Sequence, residues 1–469
     1  MGMKFETPDE EILDSLGSRS FLRFWSYSNI FRDQGKTTVN GDGKELCDFV
    51  VVFGNTVLLF SDKRIEYPDA ENDTVAWKRW HRKAITASAR QLKGAARWLT
   101  NYPSRVYIDK ACTKPLPISI QTNLNIHKIV VTHGAEPLLG NQHGEESFSF
   151  VNDDPGLYEV NQRDLHGGDF YHVFTGESLA FVLGEINTLV DFLEYLTKRR
   201  SVFDSGNKLR ISKESDFVHG FYKASSPMAT MPLIEEFAEQ SDVPVVVRLP
   251  GISNLLNDPI YKQRKRDDVV SFVWDHLIEH LSMHVAGRTT IASTTSGIEE
   301  DEEMLRTMAN TSRLERRTMS QAVFEMWCKV QPNSRGSRFY FNQRSSVCYV
   351  FLFCFPNDGS CDSEEQYRQL RQDLLTDYMQ IYGHENPEYL TIMGLAFSSR
   401  TDDNIELAQF HRTIDNGGVD FAMFDNIELD TDHVHALERV KLELIERGLF
   451  TEERTPKYEH HQLFERATK

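Results

Sequence analysis

Glu45, Asp48, Asp62 and Lys63 lie close together in the segment Lys44–Lys63, where two apolar runs separate them. Phe49–Phe53 and Thr56–Phe60 are short stretches rich in β-branched and aromatic residues, joined by Gly54-Asn55, a dipeptide suited to a two-residue hairpin turn. The hairpin brings Asp48 and Lys63 to one edge of a sheet, with Glu45 and Asp62 beside them. Carboxylates in such a place suit a hard divalent cation, because magnesium takes one or two of them, keeps several waters and accepts a substrate phosphate. The ion lowers the pKa of a bound water, and a neighbouring lysine orients that water and offsets charge growing on the phosphate. These residue types therefore point to phosphodiester hydrolysis.

The hairpin resembles the PD-(D/E)xK, or restriction-endonuclease-like, nuclease superfamily over roughly the first 130 residues. The resemblance implies an α/β fold with an αβββαβ core, dependence on Mg2+ or Mn2+, and a nucleic-acid substrate, DNA favoured over RNA. In that family an aspartate on one strand precedes an acidic-x-Lys triplet on the next. Here Asp48 and Lys63 take the aspartate and lysine places, and Ser61 stands where the first acid of the triplet usually is. Ser61 and Lys63 share a strand face while Asp62 points to the other. Either a bulge turns Asp62 into the site, or Glu45, three residues before Asp48, supplies the missing carboxylate. Glu45 is the preferred ligand and Asp62 the second choice. Similar nucleases suggest a further glutamate from the first helix, Glu10 or Glu11.

These strands need a helix to back them, and Trp77–Thr100 has the period for one. Trp77, Trp80, Ala84, Ser88, Leu92, Ala95 and Leu99 form its inward stripe. Gln91 falls on that stripe, so its amide points toward the acidic strands. The resemblance gives such a glutamine a place near metal or substrate; a core amide bonded to backbone is the competing reading. The same stretch carries Lys78, Arg79, Arg82, Lys83, Arg90, Lys93 and Arg97 and no Asp or Glu, in a chain whose net charge is −18. A solvated helix face normally mixes signs. A face of one sign is instead expected to meet the nucleic-acid backbone, where neutralised phosphates release counterions.

Across its 469 residues the chain is expected to hold a nuclease domain at 1–205, a mixed and mostly helical connecting region at 206–335, and an α/β domain at 336–469 for regulation, sensing or dimerisation. Within the first domain further strands are expected at 105–108, 128–132 and 169–175, with one helix over 178–200. The middle region is expected to contain a strand at 243–249, a helix at 267–285, a loop at 261–266 and one helix from Glu299 to Val330. Arg313, Arg316 and Arg317 on the last of these read either as a second basic patch or as partners of its acidic start. The final region is expected to have strands at 346–355 and 389–398 around a helix at 364–382.

The acidic N-terminus lacks the apolar run of a secretory signal, and no apolar stretch is long enough to span a membrane. A cytoplasmic protein is the simplest expectation. Six cysteines without a C-x-x-C pair argue against a zinc knuckle or a disulfide framework. His127, His133 and His143 are expected to be structural or solvent-facing, not metal ligands. Asp425, Glu428, Asp430 and Asp432 lack the glycine and spacing of a calcium loop. There is no Gly-rich phosphate loop with its lysine, so no ATPase motor is expected. By analogy, a nuclease joined to an extra module suits bacterial restriction or anti-phage defence, with a homo-oligomer or protein partner through the latter half. The alternative is a catalytically inactive nuclease-fold protein that binds nucleic acid or another protein.

Overall fold

The computed structural model describes residues 8–35, 41–69, 72–135, 149–163, 165–204, 209–211, 214–224, 245–246, 257–287, 298–331, 334–342, 344–354, 361–388, 391–399, 406–416, 419–425 and 431–446. His143, Glu428, Asp430 and most of the strand expected at 243–249 lie outside them. The chain is mixed α/β and divides into two compact units, Met1–Lys265 and Arg266–Lys469.

The first unit begins with α1 (Pro8–Phe21) and continues through β1 (Ser26–Arg32), β2 (Lys44–Phe53) and β3 (Thr56–Arg64), a three-stranded antiparallel meander. Gly54, at φ +57°, makes the turn between β2 and β3, a conformation that glycine adopts without steric cost. The chain then forms α2 (Asp73–His81), a π turn (Arg82–Thr86) and α3 (Ala87–Asn101), followed by β4 (Val106–Tyr107) and β5 (Asn125–His133). Because β5 pairs in parallel with β3, α3 is the crossover that packs on the sheet between them. Three short strands follow, β6 (Ser149–Val151), β7 (Glu159–Asn161) and β8 (His172–Thr175). The main sheet has the order β4-β1-β2-β3-β5-β8.

Two layers of helix cover this sheet. Phe49 on β2 packs edge-on against Phe60 on β3, Phe60 meets Phe21 of α1, and Gly17 of α1 lies so close to Phe49 that an added Cβ would fall 2.4 Å from its ring. This is the α1 face. The opposite face carries α3, whose Ser88, Ala89, Leu92, Ala95 and Leu99 are buried. The single helix expected over Trp77–Thr100 is thus interrupted by the π turn, an insertion that re-phases the stripe and recurs at functional sites. Asn72 opens α2, its side chain accepting from the Val75 amide at 3.1 Å.

The helix expected over 178–200 is two helices, α4 (Gly176–Glu185) and α5 (Leu189–Asp204). Buried Thr188 divides them, because its hydroxyl accepts from the Asp191 amide at 3.2 Å and starts the second helix. A second sheet, β10-β9-β6-β7, includes β9 (Leu209–Ile211) and β10 (Val245–Val246), with α6 (Glu214–Ala224) between them in sequence. Arg199 ties these parts together: it donates to both Glu214 oxygens at 2.9 Å and to the Val173 carbonyl at 3.1 Å. The unit ends in α7 (Pro259–Asp267), so the basic run at 261–266 is helical and not the loop expected.

In the second unit α8 (Phe272–Gly287) is followed by α9 (Ile298–Ala309) and α10 (Arg313–Lys329), in place of the one long helix expected. Ser312 and Glu315 form a capping box that starts α10 afresh. Arg313 and Arg316 reach Asp275 at 2.8 and 2.6 Å, and Arg317 reaches Asp268 at 3.4 Å. These arginines are therefore ion-pair partners of α8 and its lead-in and do not form an open basic patch. The sheet is β11 (Gly336–Asn342), β12 (Val347–Cys354), β13 (Thr391–Ser398) and β14 (Val419–Asp425), in that order, with β12 and β13 parallel. Every residue of β12 is buried, as befits a strand covered on both faces. One face meets α11 (Glu364–Glu385) through Cys348, Val350 and Leu352 against Leu375 and Met379. The other places Tyr349 and Phe351 against Trp274 of α8, and Phe397 against Phe410 of α12 (Leu407–Asp415). The last helix is α13 (Thr431–Glu446).

Candidate active site

The decisive local feature is a bulge in β2. From Ser26↔Val51 to Ile30↔Cys47 the β1–β2 register is regular, but the next pairs are Phe31↔Glu45 and Arg32↔Lys44. One extra residue, at Leu46, has been absorbed by β2. Strict alternation would set Glu45 and Asp48 on opposite faces. The extra residue reverses the parity, so both Leu46 and Cys47 are buried and Glu45 comes round to Asp48. The two carboxyls are close enough for a hydrogen bond between them. The bulge is in the first strand of the hairpin, on the side that makes Glu45 the second carboxylate.

Asp48 does not behave as an ordinary carboxylate. Burial and the neighbouring Glu45 push its pKa up to about 8, against a hydrogen bond from the Asp62 amide to Oδ2 at 2.5 Å. A carboxyl held protonated by burial beside a second carboxylate accepts a cation readily, since positive charge offsets the desolvation penalty and the repulsion from its neighbour.

Asp62 itself is turned away. Its carboxylate lies 2.8 Å from His133 Nε2 on β5, with only 4 % of the side chain exposed. Next to this pair, Arg64 donates to both Asp9 oxygens at 2.6 and 2.8 Å, so opposite charges alternate along the α1 face of the β3 end. His133 feels burial, which lowers its pKa, but Asp62 and Asp9 raise it further, and the net direction is upward. The ring also sits directly on Gly176, where an added Cβ would fall 2.1 Å from Cε1. Glu10 accepts from Asn29 at 3.4 Å, and Glu11 is exposed on α1.

On the α3 face, Ser61 is fully buried and donates to Gln91 Oε1 at 3.4 Å. Gln91 thus points at the strand position where an acidic residue was expected. Lys63, two residues beyond Ser61, shares that face by alternation and makes no ion pair among the described residues. The indole of Trp80 donates to the Ile65 carbonyl at 2.8 Å, which pins α2 at the end of β3 nearest Asp48. Lys78, Arg79, Arg82, Lys83, Arg90 and Arg97 are exposed and Lys93 is half-buried. Among the described residues none of the seven forms an ion pair.

Among the described residues no group of three or more His, Cys, Asp or Glu is disposed to hold a metal ion. The donors that meet are two, Glu45 and Asp48, and two carboxylates with a substrate phosphate are a workable magnesium set. The six cysteines are free, and no described helix is long and apolar enough to cross a membrane. Sequence reasoning missed the His133 pairing with Asp62, for which residue spacing carries no signal, because parallel pairing of β3 with β5 creates it. No protein-family model, curated protein or solved structure matches this chain.

Proposed function

We propose that the first unit is a metal-dependent nuclease acting on DNA. The observation that carries this reading is the β2 bulge, which sets Glu45 against a half-buried Asp48 whose proton is held to about pH 8. Support also comes from the order α1, β1, β2, β3, α3, β5, which is the element order the superfamily resemblance implies, and from the seven cations on α2–α3 that form no ion pair among the described residues. Glu45 and Asp48 would hold Mg2+ or Mn2+, which supplies Lewis-acid stabilisation of the phosphate and an acidified water. Lys63 donates to the non-bridging oxygens or orients the attacking water, Gln91 offers its amide beside Ser61, and the α2–α3 cations hold the flanking phosphates.

Purified protein should cleave plasmid or oligonucleotide DNA with magnesium or manganese and stop with EDTA. Failure on linear, supercoiled and single-stranded DNA and on RNA at every metal concentration would sink the enzyme reading. A second reading is a nuclease-fold protein that binds nucleic acid without cutting it. The buried Ser61 at the usual acidic position favours it, and retained binding without cleavage is its signature. A role in restriction or anti-phage defence, with the second unit as sensor or dimerisation surface, is proposed on analogy alone.

A further inference from the structure

The β1–β2 register sets Arg32 directly opposite Lys44, one position beyond the pair that carries Glu45. Like charges facing each other across a ladder repel. Among the described residues neither has a carboxylate partner, and the Arg32 Nε is buried without a hydrogen bond. The carboxylate next in sequence is already engaged, because Asp33 accepts from Arg105 Nε at 3.0 and 3.1 Å and from the Tyr107 hydroxyl at 3.3 Å. Positive charge therefore stands uncompensated by a carboxylate at this corner of the sheet among the described residues.

Aromatic rings adjoin it. The Arg32 guanidinium lies 5.3 Å from the Trp98 ring centre, and Arg105 lies 5.2 Å from both Trp98 and Tyr102. Trp98 and Tyr102 are 4.6 Å apart, and Tyr102 is 44 % exposed while Trp98 is buried beneath it. Two cations without a carboxylate partner among the described residues, beside an exposed ring braced by a buried one, match one nucleotide unit: a phosphate and an unstacked base. A base inside a duplex presents only its edge and cannot stack in this way.

Resting on the nuclease reading, we propose that Arg32, Lys44 and Tyr102 form a subsite for an unpaired nucleotide at the end of β1 and β2, one residue along β2 from Glu45, so that the substrate is single-stranded or frayed. Trp98 positions the Tyr102 ring and takes no direct part.

The test is fluorescence anisotropy in EDTA with the full chain, using a labelled oligothymidylate and a labelled hairpin duplex as probes. Tyr102→Ala should weaken oligothymidylate binding roughly tenfold and duplex binding less than about twofold, given the stacking contribution of one base. Tyr102→Phe should bind as the unaltered protein does, since the ring and not the hydroxyl is used. Arg32→Gln with Lys44→Gln should flatten the single-strand salt slope by about 0.7, the contribution of the one phosphate they hold. Equal losses on both probes, or no loss on oligothymidylate, would overturn the subsite while leaving duplex binding, and with it the nuclease reading, in place. If the unaltered protein binds neither probe, both readings fall together.

Discussion

A carboxyl whose proton is retained to about pH 8 gives Asp48 a measurable signature. Because the folded pKa lies above the ordinary value, the fold binds an extra proton between them, and stability falls as pH rises through that window. Asp48→Asn should therefore raise the thermal midpoint at pH 9 relative to pH 5 while removing divalent-cation binding. Binding of Mn2+ at pH 7 should release a proton, seen as a dependence of calorimetric enthalpy on the buffer, and the release should vanish in Asp48→Asn. Glu45→Gln should abolish cleavage and bring the Asp48 carboxyl 13C titration down toward the ordinary range. Asp62→Asn should be the milder change for cleavage, because its side chain serves His133. It should instead cost about 1–3 kcal/mol of stability as a broken buried pair. His133 titrates above its usual value, so this contribution is present below that usual value and is lost as pH rises through the raised one. A larger loss of cleavage for Asp62→Asn than for Glu45→Gln would reverse the ligand assignment.

The helical and strand elements explain why these residues meet at all. The β2 bulge does for Glu45 what a bulge in β3 would have done for Asp62, and it could not be placed from sequence, since Lys44–Phe53 reads as an uninterrupted strand either way. On α2–α3, exchanging Arg79, Arg82, Arg90 and Lys93 for glutamine should weaken binding across sequences and flatten the duplex salt slope by about 0.9 for each phosphate no longer neutralised. An unchanged slope would make the helix merely solvated. Gln91→Ala should slow cleavage more than it weakens binding, whereas a lowered thermal midpoint with normal cleavage would make it a core amide. Gly176→Ala tests the fold without any functional assumption: its methyl would strike the His133 ring, so a loss of about 1–3 kcal/mol is expected from overpacking. A neutral result would mean that the ring moves freely.

At the scale of the molecule, each unit has its own core, and each contains a buried guanidinium held by a carboxylate. In the second unit Arg371 of α11 pairs with Asp420 of β14, both 1 % exposed. Removing one partner leaves a buried charge uncompensated, so Arg371→Met should cost about 3–5 kcal/mol. Calorimetry should show this loss in the transition of the second unit, with nucleic-acid binding unchanged. A matching shift in both transitions would mean that the two units unfold as one.

Several features were determined by the amino-acid sequence alone because they are local. The Gly54-Asn55 hairpin, the cation-rich helical stripe and the apolar run of β12 depend on periodicity and turn chemistry within a few residues. Ser312 and Glu315 carry a capping signal of the same local kind, so the break between α9 and α10 is legible in the sequence even though the helical period runs across it. Thr188 marks the α4–α5 break in the same way. Which carboxylates converge was not local. A one-residue bulge reverses the face on which a side chain lies, and whether β2 or β3 takes it is settled by pairing with β1 and by the apolar packing of Leu46 and Cys47. Parallel pairing of β3 with β5 gave Asp62 to His133, and interior acids claimed Arg313, Arg316 and Arg317. Charge pattern in a sequence states how many ions there are; only tertiary pairing decides which neutralise one another and which stay open to a ligand.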